Sequence, residues 1–183
     1  MSSDLQSKLD YVNAYRENRL KTAQEILENK SLFEELVSIC FLTSDKNNHK
    51  ACWILEFVCY EELIWLQPHL DFFCKNLKYL KEESSLRPIA KVVQLLVKSH
   101  YKKGENSIVL SEDNLQYCIE SSFDWLINDC KVATKAYSIR TLFVLGNYYD
   151  WIHPELKIIL DKDYADHSAA YKAVAREVLK KIK

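Results

Sequence analysis

The fold class predicted for this chain is all-α, and three observations predict it. Only two of the 183 residues are glycine, Gly104 and Gly146, and only three are proline, Pro68, Pro88 and Pro154. Sheet proteins use both types freely for turns and bulges. Apolar residues recur at helical spacing along most of the chain, and polar or proline-marked breaks cut that pattern into segments of helix length. A hydrophobic content of 48% and a charged content of 28% are ordinary for a globular chain, and the length suits one domain with a sizeable core.

Taken in order, residues 3–16 and 17–29 read as two amphipathic helices. Leu5, Leu9 and Val12 line one face of the first, and Leu20, Ala23 and Leu27 one face of the second. Asn29 is the stop. Ser31, with Glu34 three residues on, has capping-box spacing and opens a helix to about Thr43. After the polar stretch Ser44–Asn48 comes a helix bearing Ala51, Ile54, Leu55 and Val58. Pro68 falls in the first turn of a helix to about Glu83, where its missing N–H costs nothing. Ser84 or Ser85 caps the next helix, with Pro88 again in the first turn, running to about Lys103. The longest connection is Gly104–Leu110. Ser111 then caps a helix to about Asp129, and another runs from about Lys131 to Tyr149. Pro154 opens a further helix, and the acidic stretch Asp161–His167 leads into a last one, Ser168–Ile182.

The chain repeats itself. Trp65-Leu66-Gln67-Pro68-His69-Leu70 and Trp151-Ile152-His153-Pro154-Glu155-Leu156 share the pattern Trp-aliphatic-x-Pro-x-Leu, 86 residues apart. Each follows a helix opening Lys-Ala, at Lys50-Ala51 and Lys135-Ala136. Related helices carry Lys91-Val92-Val93 and Lys172-Ala173-Val174. Markers at 50, 91, 135 and 172 step by 41, 44 and 37 residues. A two-helix unit with a period of about 40 resembles the HEAT-type repeat. The resemblance implies an α-α superhelix of about four helix pairs over residues 17–183, with residues 1–16 as an extra N-terminal capping helix, all one domain (1–183). It specifies architecture well and activity poorly, because repeat scaffolds host many activities.

Composition excludes several function classes. The net charge of −1 gives no global attraction to nucleic acid or to a membrane surface. The N-terminus is polar, unlike a signal peptide, and no apolar run approaches the roughly 18 residues of a membrane span. The six cysteines (Cys40, Cys52, Cys59, Cys74, Cys118, Cys130) include no Cys-x-x-Cys pair and sit mostly in apolar helical stretches. They read as reduced, buried thiols of a cytoplasmic protein. Five scattered histidines form no His-Glu-x-x-His motif, and two glycines 42 residues apart make no phosphate loop. Asp161, Asp163, Asp166 and His167 are the densest acidic cluster, but they lack the glycine and distal glutamate of a calcium loop and read as a solvated turn. No cofactor or metal is expected, and no catalytic constellation is visible.

Charge is strongly regional: −4 over residues 1–62, +5 over 63–104, −6 over 105–166 and +4 over 167–183. The positive regions form helix stripes. Arg87, Lys91, Lys98 and Lys102 fall within about 60° of one another, and Lys172, Arg176, Lys180 and Lys183 within about 80°, at about 100° per residue. Both stripes lie on the second helix of a pair, which in HEAT-like solenoids lines the concave surface. Two stripes in one groove would suit an acidic protein or a phosphate backbone; two solvated faces of amphipathic helices would look the same in sequence.

Trp125-x-x-x-Asp129, with Arg140-Thr141 on the following helix, resembles the HEAT-like alkylpurine DNA glycosylases. In that family aromatic faces hold a damaged nucleotide and an aspartate stabilises charge on the sugar. The family's arginine lies further along its chain, and a second tryptophan is needed where only Trp151 is downstream. Trp125 as core and Asp129 as a helix-end cap is the simpler reading.

The helices Lys50-Ala51-Cys52-Trp53-Ile54-Leu55-Glu56-Phe57 and Ala136-Tyr137-Ser138-Ile139-Arg140-Thr141-Leu142-Phe143, and the overall length, resemble short helical bacterial proteins, mainly of Bacteroidetes, that are sometimes labelled adenylosuccinate lyase. True lyases of that superfamily are more than twice as long and use a Gly-Ser-Ser-x-Met-Pro-x-Lys-x-Asn loop. Such a loop is ruled out here because the only methionine is Met1. We read that label as a misannotation.

The sequence therefore points to a non-enzymatic HEAT-like interaction module that binds a protein partner on its concave face. A nucleic-acid-binding module related to alkylation repair is the alternative. It leaves the oligomeric state open.

Overall fold

The computed structural model describes residues 4–164 and 167–182, and Asp166 of the acidic cluster and Lys183 of the second basic stripe lie outside them. Ten α-helices and no strand occur among the described residues: α1 (Asp4–Tyr11), α2 (Arg16–Glu28), α3 (Phe33–Phe41), α4 (Asn48–Glu61), α5 (Leu70–Asn76), α6 (Glu83–Lys102), α7 (Glu112–Ile127), α8 (Val132–Leu145), α9 (Ile152–Asp163) and α10 (Ala169–Leu179). Helices α3 to α10 follow one another as four successive couples, of which α3 with α4 and α7 with α8 pack most closely. Their second members, α4, α6, α8 and α10, lie side by side in one row that α2 extends, while α3, α5 and α7 touch more sparingly behind them.

Each helix turns an apolar stripe into a single continuous core. In α6 the fully covered residues Ile89, Val92, Val93, Leu96 and Val97 recur at three- and four-residue spacing. Helix α1 is tied to α4: Leu5 and Leu9 are fully buried, and Lys50 Nζ of α4 donates to the Leu9 carbonyl at 2.9 Å. Lys135, the counterpart of Lys50 in the repeat, donates to the Leu126 carbonyl of α7 at 2.7 Å. Both lysines thus put positive charge on the C-terminal end of a neighbouring helix, where the orphan carbonyls and the dipole favour it.

Three local expectations need correction. Helix α5 spans only seven residues, because the segment around Pro68 is a 3-10 run, Leu63–His69, and a second 3-10 turn, Leu77–Tyr79, ends it. Only Glu62 separates α4 from that run, too short a connection for an ordinary helix start. Ser31 does not build a capping box. It lies in a 3-10 turn and donates to Asn29 Oδ1 at 2.7 Å, while α3 begins at Phe33 without a side-chain cap. Helix α6 starts at Glu83, so neither Ser84 nor Ser85 caps it and Pro88 sits in the second turn, where it deprives the Ser84 carbonyl of its helical donor. The Trp53 indole N–H fills that gap, donating to Ser84 O at 2.8 Å. Ser111 and Ser168 do cap α7 and α10, accepting from the amides of Asn114 and Tyr171.

Polar ties link successive repeats. The Ser85 hydroxyl donates to Asn48 Oδ1 at 2.7 Å, and Asn114 Nδ2 to Asp71 Oδ1 at 2.9 Å. Glu83 accepts from the Lys131 amide at 2.6 Å and from Thr134 Oγ1 at 3.0 Å, capping α8 from the preceding repeat.

Candidate functional site

A broad concavity lies on the second-helix row. It has a volume of about 770 Å³ and is walled by α2, α4, α6 and α8. At its centre is Glu56, one acid in the otherwise apolar run Ala51–Cys59 of α4, and only 6% exposed. Burial raises the Glu56 carboxyl above the ordinary glutamate range, while Arg87, Arg19, Lys91 and Arg16 pull it back down. A group with its folded pKa raised stabilises the fold at low pH and loses that contribution as pH climbs through the folded value. Arg87 Nη2 donates to Glu56 Oε2 at 3.2 Å.

The cations around Glu56 are held by aromatic faces. The Arg16 guanidinium lies 5.5 Å from the Phe57 ring centre, and Arg19 lies 5.3 Å from Trp53 and 5.8 Å from Phe57. Lys91 Nζ sits between Tyr137 at 5.0 Å and Tyr60 at 5.6 Å, and donates to Gln94 Oε1 at 3.0 Å. Stacking engages the faces of the guanidinium groups and leaves their N–H edges for other acceptors. Arg19 Nη2 donates to the Ala14 carbonyl at 3.0 Å, but its buried Nε has no acceptor. Burial, and then the neighbouring Arg87, lower the Arg19 pKa. The apolar side chains Leu20, Leu27 and Trp65 also line the cleft, as do Glu61 and Glu62.

The two basic stripes have different surroundings. Arg87 lines the cleft, and Lys91 lies against two of its lining rings, Tyr60 and Tyr137. Lys98, one further turn or two along α6, has its pKa lowered by burial and by Lys91 and Arg140, so cations crowd across α6 and α8 there. Lys102, in the last turn of α6, is exposed. On α10, Lys172 leans over the Tyr164 ring next to α9 at 5.8 Å, and Arg176 Nε donates to the Lys172 carbonyl. Arg176 and Lys180 are exposed. The α10 residue presented to α8 is Glu177, which takes Arg140 Nη2 at 3.1 Å; that bond and one from Lys181 hold its carboxyl below the usual range. The structure therefore sets an acid between Arg140 and the α10 cations.

Trp125 and Asp129 share one hollow, and Arg140 is not among the residues that line it. Trp125, 6% exposed, and Asp129 line a separate hollow of about 320 Å³ with Lys78, Lys81 and Asp124, while Arg140 is committed to Glu177. All six cysteines are free, five of them buried and Cys130 partly so. Among the described residues no group of three or more His, Cys, Asp and Glu is placed to hold a metal ion, and no helix is long and apolar enough to cross a membrane.

Arg16, Arg19, Phe57, Tyr60 and Tyr137 are site residues that the stripe pattern missed. They reach the cleft from three helices, so no linear spacing joins them; the isolated Glu56 in an apolar helix was the one available signal.

A stack of helix pairs with a ligand-sized cleft on one row defines the protein as an α-helical repeat scaffold. The HEAT repeat domain family model matches residues 8–182, and the chain belongs to that family. No curated protein and no solved structure matches it.

Proposed function

We propose that this chain is a non-enzymatic, cytoplasmic interaction module that binds a protein partner on the concave face formed by its second helices. HEAT repeats are scaffolds commonly used for protein interaction. The observation that carries the reading is the cleft itself. It combines apolar side chains, half-exposed Tyr60 and ring-held cations, the mixture that protein interfaces favour over catalytic centres. Photo-crosslinkers at Tyr60 and Tyr137, compared with Ile127 and Ile158 on the exposed faces of α7 and α9, test it in the cell. Protein adducts confined to the first two positions are expected. Adducts confined to the last two, or a clear turnover of adenylosuccinate by the purified chain, would sink the idea.

The second reading is nucleic-acid binding through Arg87, Lys91, Lys98 and Lys102 with Lys172, Arg176 and Lys180. It draws on the crowding of cations around Lys98. Salt-dependent binding to duplex DNA, weakened by Lys91→Glu or Arg176→Glu, would favour it, and no binding at low salt would remove it.

A further inference from the structure

We infer that the cleft recognises an acidic side chain on a protein segment, taking its carboxylate between Arg16, Arg19 and Arg87 and its apolar neighbour on Leu20, Leu27 and Trp65. This rests on the proposed protein-binding role and assigns the chemistry of what is bound. Three observations converge on it.

The first is charge. Four cations, Arg16, Arg19, Arg87 and Lys91, act on the Glu56 carboxylate, and only Arg87 is within ion-pair distance of it. Neither Arg16 nor Arg19 has an ion pair among the described residues. The second is donor geometry. With the Arg16 and Arg19 guanidinium groups held over Phe57 and Trp53, their remaining N–H groups suit a planar acceptor, and the buried Arg19 Nε still lacks one. The third is the lining of the cleft. Beside the arginines it includes the apolar Leu20, Leu27 and Trp65 and two further acids, Glu61 and Glu62. A phosphate backbone, charged at every step, would meet those two acids. A peptide can place one carboxylate at the arginines and an uncharged side chain on the apolar residues.

The probe is a short fluorescent peptide alternating glutamate and leucine, titrated against the full chain by anisotropy. Its comparators are the same peptide with lysine for glutamate, and duplex DNA. Saturable binding of the glutamate peptide alone is expected. Arg16→Glu and Arg19→Glu should each weaken it by roughly tenfold or more, as expected for loss of a charge-assisted contact, with far-ultraviolet circular dichroism confirming the helices. Glu56→Gln works in the opposite sense: removing the competing carboxylate should strengthen binding severalfold, which a merely structural Glu56 would not do. Equal binding of the lysine peptide, tighter binding of DNA, or no change in Arg16→Glu and Arg19→Glu overturns the inference. If the peptide fails while crosslinks at Tyr60 and Tyr137 persist, the carboxylate chemistry is wrong and the protein-binding role stands; if both fail, the role falls too.

Discussion

The two copies of the Trp-aliphatic-x-Pro-x-Leu motif share a core role and differ in everything else. Leu66 and Ile152 are fully buried, and so, within 3%, are Leu70 and Leu156. Around them the copies diverge. Trp65 is held edge-on by Phe33 at 5.6 Å with Lys30 Nζ 5.0 Å above its ring, whereas Trp151 is half exposed and stacked on Phe123 at 5.6 Å. Gln67 reaches forward to the next repeat, donating to the Val109 carbonyl at 3.0 Å and accepting from its amide at 2.8 Å. His153 reaches back, with Nε2 2.9 Å from the Phe143 carbonyl and its ring against Gly146. The aliphatic positions specify burial, and the variable positions specify which neighbour the segment grips.

Substitutions can break or sharpen this contrast. Leu70→Ala and Leu156→Ala should each cost about 3 kcal/mol, the usual range for emptying a packed leucine site. Chemical denaturation reads both, and markedly unequal losses would show that the shared role is only apparent. Gly146→Ala should cost about 2 kcal/mol, because a Cβ there would lie 2.0 Å from His153 Cδ2. The backbone at Gly146 is right-handed helical (φ −64°), so the penalty comes from the ring alone and should shrink in the Gly146→Ala, His153→Ala double variant. Gln67→Ala should cost about 1 kcal/mol and speed hydrogen exchange at the Val109 amide; unchanged exchange would mean the forward grip is not formed. Trp151→Ala should cost only about 0.5 kcal/mol, the stacking of a half-exposed ring pair, as read from thermal melts.

Much of the architecture could be read from residue order because it depends on local rules. The spacing of Ile89, Val93 and Leu96 makes α6, and Ser111 and Ser168 mark helix starts by their own chemistry. Short α5 was not legible: the apolar spacing after Pro68 is as helical as that after Pro154, and the one-residue link at Glu62 is what changes the outcome. Pro88 misled in the same way, since its position in the second turn is made tolerable by Trp53, 35 residues earlier. At the cleft, Arg87 stood out as part of a stripe, whereas Arg16 and Arg19 are ordinary surface charges until α4 brings Phe57 and Trp53 beneath them. The partner of Arg140 was equally invisible, because Glu177 lies on another helix.

Capping of α8 by Glu83 gives the stack a direction. The carboxylate that takes the Lys131 amide and the Thr134 hydroxyl at the start of α8 belongs to the unit before it, as does the Asn48 oxygen that meets Ser85. Loss of a downstream pair merely bares a carboxylate to water, which solvates it. Loss of an upstream pair strips the acceptor from donors at a helix start that has no cap of its own. Fraying should therefore be easier from the α10 end than through the middle, and the chain should melt like a zip with one preferred opening end.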